Sequence, residues 1–314
     1  MQKTFFLIVV LLSTPVLAID AETGAQHAAK GDFATAYNIW KVFAEEGDAM
    51  SQFYLGVLYE KGSGVEKDYP QALFWYIKSA EQGVAKASYN IGNMFFNGRG
   101  VSKDYKEAER RFRHAADLNY PPAQFNLAYI LDRGLNGKKN PTEAFNWYLK
   151  SAENGVQKAQ SKVGKLYETG SGVAKNKEKA IYWYKKVAHN NPEIRIRLAK
   201  LYLKDQKTLE EGIRLLRSGA ENGDKLAQYE LGYLYGQGEK VKQDFEQATF
   251  WYQRAAKQQV PEAQYLLCLS YSLGKGVPVD FAVAQVWCEA AVLNKAEGAE
   301  AALGEIKEAM RRAE

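Results

Sequence analysis

Histidine and cysteine are scarce in this chain of 314 residues, at three and two. His27, His114 and His189 stand far apart, with no second His or Cys at the short spacings that metal sites use, so no metal and no histidine-based catalytic centre is expected. Charge of one sign is also missing. Lys and Arg number 42 against 37 Asp and Glu, a net +5 spread over the whole length, which is no nucleic-acid footprint. The densest basic cluster, Arg110, Arg111, Arg113 and His114, is interleaved with Glu107, Glu109 and Asp117 and reads as a solvated helix face. Asn140-Pro141-Thr142 is the nearest approach to a glycosylation acceptor, and its proline blocks it. Beyond the first residues, no apolar run approaches the roughly 18 to 20 residues that a membrane helix needs, so no membrane span is expected. No cofactor motif is present either.

The first 18 residues do carry an apolar run, Phe5 to Leu12, preceded by Lys3 and followed by the small-residue site Val16-Leu17-Ala18. This is the pattern of a secretory signal peptide, placing the mature start near Ile19 and lowering the net charge to +4 by loss of Lys3. No Cys follows it to take a lipid anchor. A short signal without glycosylation acceptors points to a bacterial envelope, so the protein is expected to be periplasmic or secreted.

Repetition is abundant. Trp75, Trp147, Trp183, Trp251 and Trp287 share one register with Arg111 and Leu215, at steps of 36, 36, 36, 32, 36 and 36 residues. Gly62, Gly98, Gly134, Gly170, Gly238 and Gly274 repeat in the same register, as do Asp68, Asp104, Asn140, Asn176, Asp244 and Asp280. Each repeat reads as two helices. Helix A, such as Ala49 to Lys61, stops at a glycine that tolerates positive φ. Helix B, roughly Tyr69 to Gln82, starts on an Asp or Asn cap. Gly56, Gly92, Gly164 and Gly232 interrupt helix A at a cost of about 1 kcal/mol each relative to Ala, so close contact with the small Ala of helix B is expected there. Trp75 and Tyr76 are expected to fill the space between neighbouring repeats.

The strings Ala227-Gln228-Tyr229-Glu230-Leu231-Gly232-Tyr233-Leu234-Tyr235 and Ala248-Thr249-Phe250-Trp251-Tyr252-Gln253-Arg254-Ala255-Ala256, with the Gly-x-Gly-Val turns, resemble the Sel1-like repeat family, a tetratricopeptide relative. The resemblance covers the chain from about residue 25 and implies an all-α, right-handed solenoid of tandem helix-turn-helix repeats. The expected organisation is a signal peptide (1–18), an incomplete first repeat or cap (19–48), tandem repeats (49–298) and a C-terminal capping helix (299–314). One repeat, around 189–212, is irregular. The segment Lys204-Asp205-Gln206-Lys207-Thr208-Leu209 replaces the glycine turn, and a change of pitch separating two sub-arrays is expected there, a degenerate repeat without a role being the alternative.

The resemblance also implies function: an interaction scaffold without enzymatic activity, holding a protein or peptide partner on the concave face lined by helix A, in the cell envelope or against a host. In peptide-holding relatives, an Asn two residues before the mid-helix glycine bonds the peptide backbone. Here that slot holds Asn90 and Asn126, expected to form a two-rung ladder flanked by Tyr89, Phe96, Phe125 and Tyr129; Asn93 and Tyr233 stand one residue after the glycine slot of their helices and Tyr229 three before it. An amide offers donor and acceptor at once, so it reads a peptide backbone without reading sequence, and aromatics add contact area at low entropic cost. Core and groove remain equally open for Phe53, Phe125 and Tyr229.

The competing class is a weak penicillin-binding or β-lactamase-like enzyme, suggested by Ser272-Leu273-Gly274-Lys275 and Ser88-Tyr89-Asn90, although no Lys-Thr-Gly accompanies them. Cys268 occupies the mid-helix glycine slot and Cys288 the position after Trp287, on the packed face of one hairpin. Export to an oxidising compartment then predicts a disulfide clamping the C-terminal end, with two buried thiols as the alternative. Closing a loop of about 20 residues contributes roughly 3 kcal/mol. This cross-helix pairing differs from the cysteine-rich exported branch of the family, in which pairs recur repeat after repeat.

Overall fold

The computed structural model describes residues 21–313; the signal peptide expected over 1–18 and the start near Ile19 lie outside them. The described residues form seventeen α-helices and no strand, in two compact bodies divided between Asn154 and Gly155. The first body holds α1 (Ala21–Ala29), α2 (Phe33–Glu45), α3 (Ala49–Lys61), α4 (Tyr69–Glu81), α5 (Ala85–Asn97), α6 (Tyr105–Asp117), α7 (Pro121–Arg133) and α8 (Pro141–Glu153). The second holds α9 (Gln157–Thr169), α10 (Lys177–Val187), α11 (Pro192–Tyr202), α12 (Leu209–Glu221), α13 (Lys225–Gln237), α14 (Phe245–Lys257), α15 (Pro261–Leu273), α16 (Phe281–Leu293) and α17 (Ala299–Ala313). Within each body, consecutive helices pair as hairpins, and each hairpin packs on the next in chain order.

Local chemistry sets the helix ends. Gly62 ends α3 at φ 70° and bonds its N–H to the Leu58 carbonyl, and the other five turn glycines repeat this left-handed cap. Asp68 then caps α4 by accepting from the Gln71 N–H at 2.9 Å, and its own N–H donates back to the Tyr59 carbonyl at 3.0 Å, closing the turn. The second glycine of the turn has a different task. A side chain at Gly64 or Gly276 would strike the backbone at the start of the preceding B helix, at Phe33 or Phe245. Glycine there lets one repeat rest on the last.

Four hairpins are keyed by a glycine–ring contact spanning 20 residues. A Cβ at Gly56 would lie 2.5 Å from the Tyr76 ring; Gly92 meets Phe112 at 2.6 Å, Gly164 meets Tyr184 at 2.5 Å and Gly232 meets Tyr252 at 2.8 Å. The glycines therefore face first the aromatic ring of helix B, correcting the expectation of an alanine; only Gly232 also meets the alanine of its B helix, at the Ala248 carbonyl. A flat ring pressed against bare backbone fills the hairpin better than two small residues would. Trp75 fills the gap between repeats, in one apolar cluster with Ala36, Trp40 and Leu55, and Tyr76, besides meeting Gly56 in its own hairpin, packs in a cluster with Ala87, Ile91 and Met94 of the next repeat. Buried amides add a second key. Gln52, Gln124, Gln228 and Gln264 each donate to the carbonyl eight residues back, at 3.0 to 3.4 Å. Each also accepts from an amide 30 residues on: Gln82, Asn154, Gln258 and Asn294.

The irregular repeat is α11–α12. Both α10 and α11 have 11 residues where their regular counterparts have 13. Leu203 ends α11 in right-handed geometry, and Thr208 turns its hydroxyl back to the Tyr202 carbonyl at 2.8 Å instead of capping α12. Ile196 and Leu216 stand in the glycine and ring slots within one apolar cluster. This repeat lies inside the second body, so the boundary between bodies falls 35 residues or more before the sub-array break expected from sequence.

Candidate functional site

In the first body, the A helices α3, α5 and α7 place the predicted amides and aromatics. Asn126 donates through Nδ2 to Asn93 Oδ1 at 3.3 Å, joining α7 to α5. Asn90 makes a different contact: it faces the Tyr76 hydroxyl, which itself donates to Glu60 Oε2 at 2.7 Å. Burial first, and the Glu60 carboxylate second, push the Tyr76 phenol far above its ordinary pKa. Asn126 thus forms a rung between successive A helices, meeting the residue one beyond the glycine slot of the repeat before, whereas Asn90 faces the ring of the preceding B helix, so the two asparagines belong to separate contacts.

The flanking aromatics are half-buried. Tyr89 lies between Phe112, at 5.7 Å between ring centroids, and Tyr120, at 5.2 Å. Phe96 contacts Tyr105 at 5.3 Å and Tyr129 at 6.2 Å. Phe125 packs on Tyr148 at 5.4 Å. Phe53 is core. Asn90 also borders a cleft of about 830 Å³ with Tyr54, Val57, Lys67 and Arg99. The basic cluster of α6 is neutralised in place: Arg110 and Arg111 pair with Glu107, and Arg113 with Glu109 and Glu143.

In the second body, Tyr229 and Tyr233 lie on α13 with centroids 6.2 Å apart; Tyr233 is 43% exposed. Burial, then the neighbouring Glu230, pushes the Tyr229 phenol up to about 12. The Asn slot here holds Lys162, Ile194, Glu230 and Leu266, so no amide rung continues. In its place Lys200 reaches Glu230 at 2.6 Å and Arg197 reaches Glu168 at 3.7 Å. Counting four residues past each glycine slot would have exposed Glu60, Glu168 and Lys200 in the sequence. The buried Gln of the Ala-Gln strings was equally visible and equally unread.

The residues that suggested an enzyme are engaged elsewhere. Ser272 donates to the Leu269 carbonyl at 3.2 Å in the last turn of α15, and the Lys275 ammonium lies 5.4 Å from the Phe245 ring. Buried Ser88 bonds His114 Nδ1 at 2.8 Å, in the slot where other repeats bury a Gln. Cys268 and Cys288 are joined Sγ to Sγ, with their Cα atoms 5.3 Å apart. The disulfide thus replaces a glycine–aromatic key with a covalent bond at the same spacing of 20 residues.

The Sel1 repeat profile matches residues 49–84, 85–120, 121–156, 157–192, 225–260 and 261–294, passing over the stretch of α11 and α12. Among solved structures, the chain is similar to a protective antigen present in uropathogenic Escherichia coli strains and displaying an SLR fold, with 32% identity and a TM-score of 0.72. That match covers 92% of this chain and 64% of the antigen, so this chain is similar to only part of it. It is also similar to a Sel1 repeat protein from Oxalobacter formigenes, with 27% identity and a TM-score of 0.66 over 91% of this chain and 89% of that one. No curated protein matches the sequence. Repeat by repeat, the chain belongs to the Sel1 repeat family, an all-α solenoid family of protein–protein interaction scaffolds.

Proposed function

We propose that this protein is an exported scaffold that holds an extended segment of a partner protein along the concave face lined by its A helices. The observation that carries the reading is the Asn93–Asn126 pair. One hydrogen bond joins the two amides, which leaves a donor on one and an acceptor on the other half-exposed between Tyr89, Phe96 and Tyr129. That combination suits a peptide backbone, which presents one N–H and one C=O per residue. Export is supported by the N-terminal pattern and by the disulfide, which persists in an oxidising compartment. The partner belongs either to the cell envelope or to a host; the likeness to a protective antigen of a pathogen favours testing both.

The test is a crosslinking pull-down with the mature chain as bait, run on envelope fractions and on host extracts, beside Asn93→Ala with Asn126→Ala. A discrete partner captured by the native chain and lost from the double variant, with helical circular dichroism unchanged, is the expected result. A partner retained by the double variant overturns the placement on this face.

A further inference from the structure

The short repeat opens a second cavity, which the amide rungs do not explain. Between α11 and α13, and below the turn after α13, a cleft of about 400 Å³ is lined by Leu201, Leu203, Tyr233 and Leu234, with Lys204 and Lys240 at its rim. Its volume is at the small end of the range for ligand pockets. It lies beside the altered turn that follows α11. Leu203 caps α11 in right-handed geometry where regular A helices end on a left-handed glycine, and the loop from 203 to 208 has no Gly-x-Gly-Val to rest on the preceding B helix.

The charges around this cleft are unevenly satisfied. Arg197 is held by Glu168 and Glu193, and Lys200 by Glu230. Among the described residues no carboxylate pairs with Lys204 or Lys240, and Glu239 is the only carboxylate of the rim left over. Two free ammonium groups against one free carboxylate, set around an apolar floor, favour an acidic occupant whose large side chain can leave water.

We infer that this cleft docks a peptide segment in which one large apolar side chain is flanked by Asp or Glu. The side chain enters between Leu201, Leu203 and Leu234, Tyr233 covers it, and Lys204 and Lys240 receive the flanking carboxylates. The inference deepens the scaffold reading and rests on it, because it supplies sequence selectivity that backbone-reading amides lack.

Selection of a random twelve-residue peptide display library on the full mature chain tests it, in parallel with two variants. One is Lys204→Glu with Lys240→Glu, the other Asn93→Ala with Asn126→Ala; all four positions lie outside the packed core, and circular dichroism confirms folding. The native chain is expected to enrich peptides with an acid-flanked apolar residue. Resynthesised and labelled, these should bind the lysine variant at least tenfold more weakly and lose affinity with added salt. Enrichment without acidic bias, equal binding to the lysine variant, or no enrichment at all overturns the docking site. Peptides lost only from the asparagine variant would overturn it while leaving the scaffold reading intact. A concentration-dependent dimer that the lysine substitutions abolish would also overturn it, by making a second copy the occupant.

Discussion

The hairpins α9–α10 and α11–α12 follow one another in the chain and solve the same packing problem in opposite ways. In the first, Gly164 lets the Tyr184 ring lie on bare backbone, and the phenol then needs a polar partner, which Glu168 provides at 2.6 Å. In the second, Ile196 and Leu216 fill the same two slots with aliphatic carbon and leave no hydroxyl to satisfy. The position that holds Glu168 in one hairpin holds Lys200 in the other, free to reach forward to Glu230. What the repeat conserves is a filled volume across 20 residues. How that volume is filled decides which polar groups remain for the surface.

The sharpest way to break this comparison is to put a large side chain where the ring belongs. Gly164→Leu forces the side chain into the Tyr184 ring, and a destabilisation of about 3 kcal/mol is expected. Ile196→Leu, in the slot already built for a branched residue, should cost less than about 1.5 kcal/mol. Adding Tyr184→Ala to Gly164→Leu should restore part of the loss, as coupled neighbours do. Because repeat arrays open by parts, hydrogen exchange of α9 and α10 is the decisive measurement beside urea unfolding. Equal effects at Gly164 and Ile196 would show that the slots are not equivalent.

The C-terminal hairpin extends the comparison. Reduction of Cys268–Cys288 should destabilise α15, α16 and the α17 packed on them by roughly 3 kcal/mol. Cys268→Gly with Cys288→Tyr recreates the regular key and should recover a measurable part of that loss without any covalent bond. Amide exchange read repeat by repeat separates this from a global effect. If the rebuilt pair recovers nothing, the disulfide does more than stand in for a ring.

The fold was legible because its signals are local. Turn glycines, Asp and Asn caps and the tryptophan register each act within a few residues, and repetition multiplies them. The partner of Gly56 was not legible, because sequence spacing gives a slot but not the direction in which Tyr76 points. The same limit applied to the candidate site. Asn90 and Asn126 share a slot, yet what each touches depends on the preceding A helix, where Glu60 stands in one repeat and Phe96 in the next. The cleft at Leu201 and Leu203 was hidden for another reason. It borders a turn that lacks Gly-x-Gly-Val, and a missing motif marks a place in the chain without saying what the altered turn exposes.

The smallest effect separates two rings that look alike. Tyr184 and Tyr252 both lie on a mid-helix glycine, but four residues on from it Tyr184 finds Glu168 and Tyr252 finds Gly236. Tyr184→Phe removes a charge-assisted hydrogen bond and should cost about 1.5 kcal/mol, whereas Tyr252→Phe should cost about 0.5 kcal/mol or less. Alkaline unfolding gives an independent reading. Burial, and after it the Glu168 carboxylate, raises the Tyr184 phenol above its ordinary 10.0. The folded chain therefore keeps that proton while the unfolded chain releases it, so the stability it contributes is intact below pH 10 and is lost as pH rises further. Tyr184→Phe should flatten the decline above pH 10. Burial alone leads the rise at Tyr252, so Tyr252→Phe should flatten it too, while leaving neutral-pH stability almost unchanged. A variant pair with matching losses at neutral pH would mean that Glu168 contributes nothing through the bond, and that the ring's shape is all the key requires.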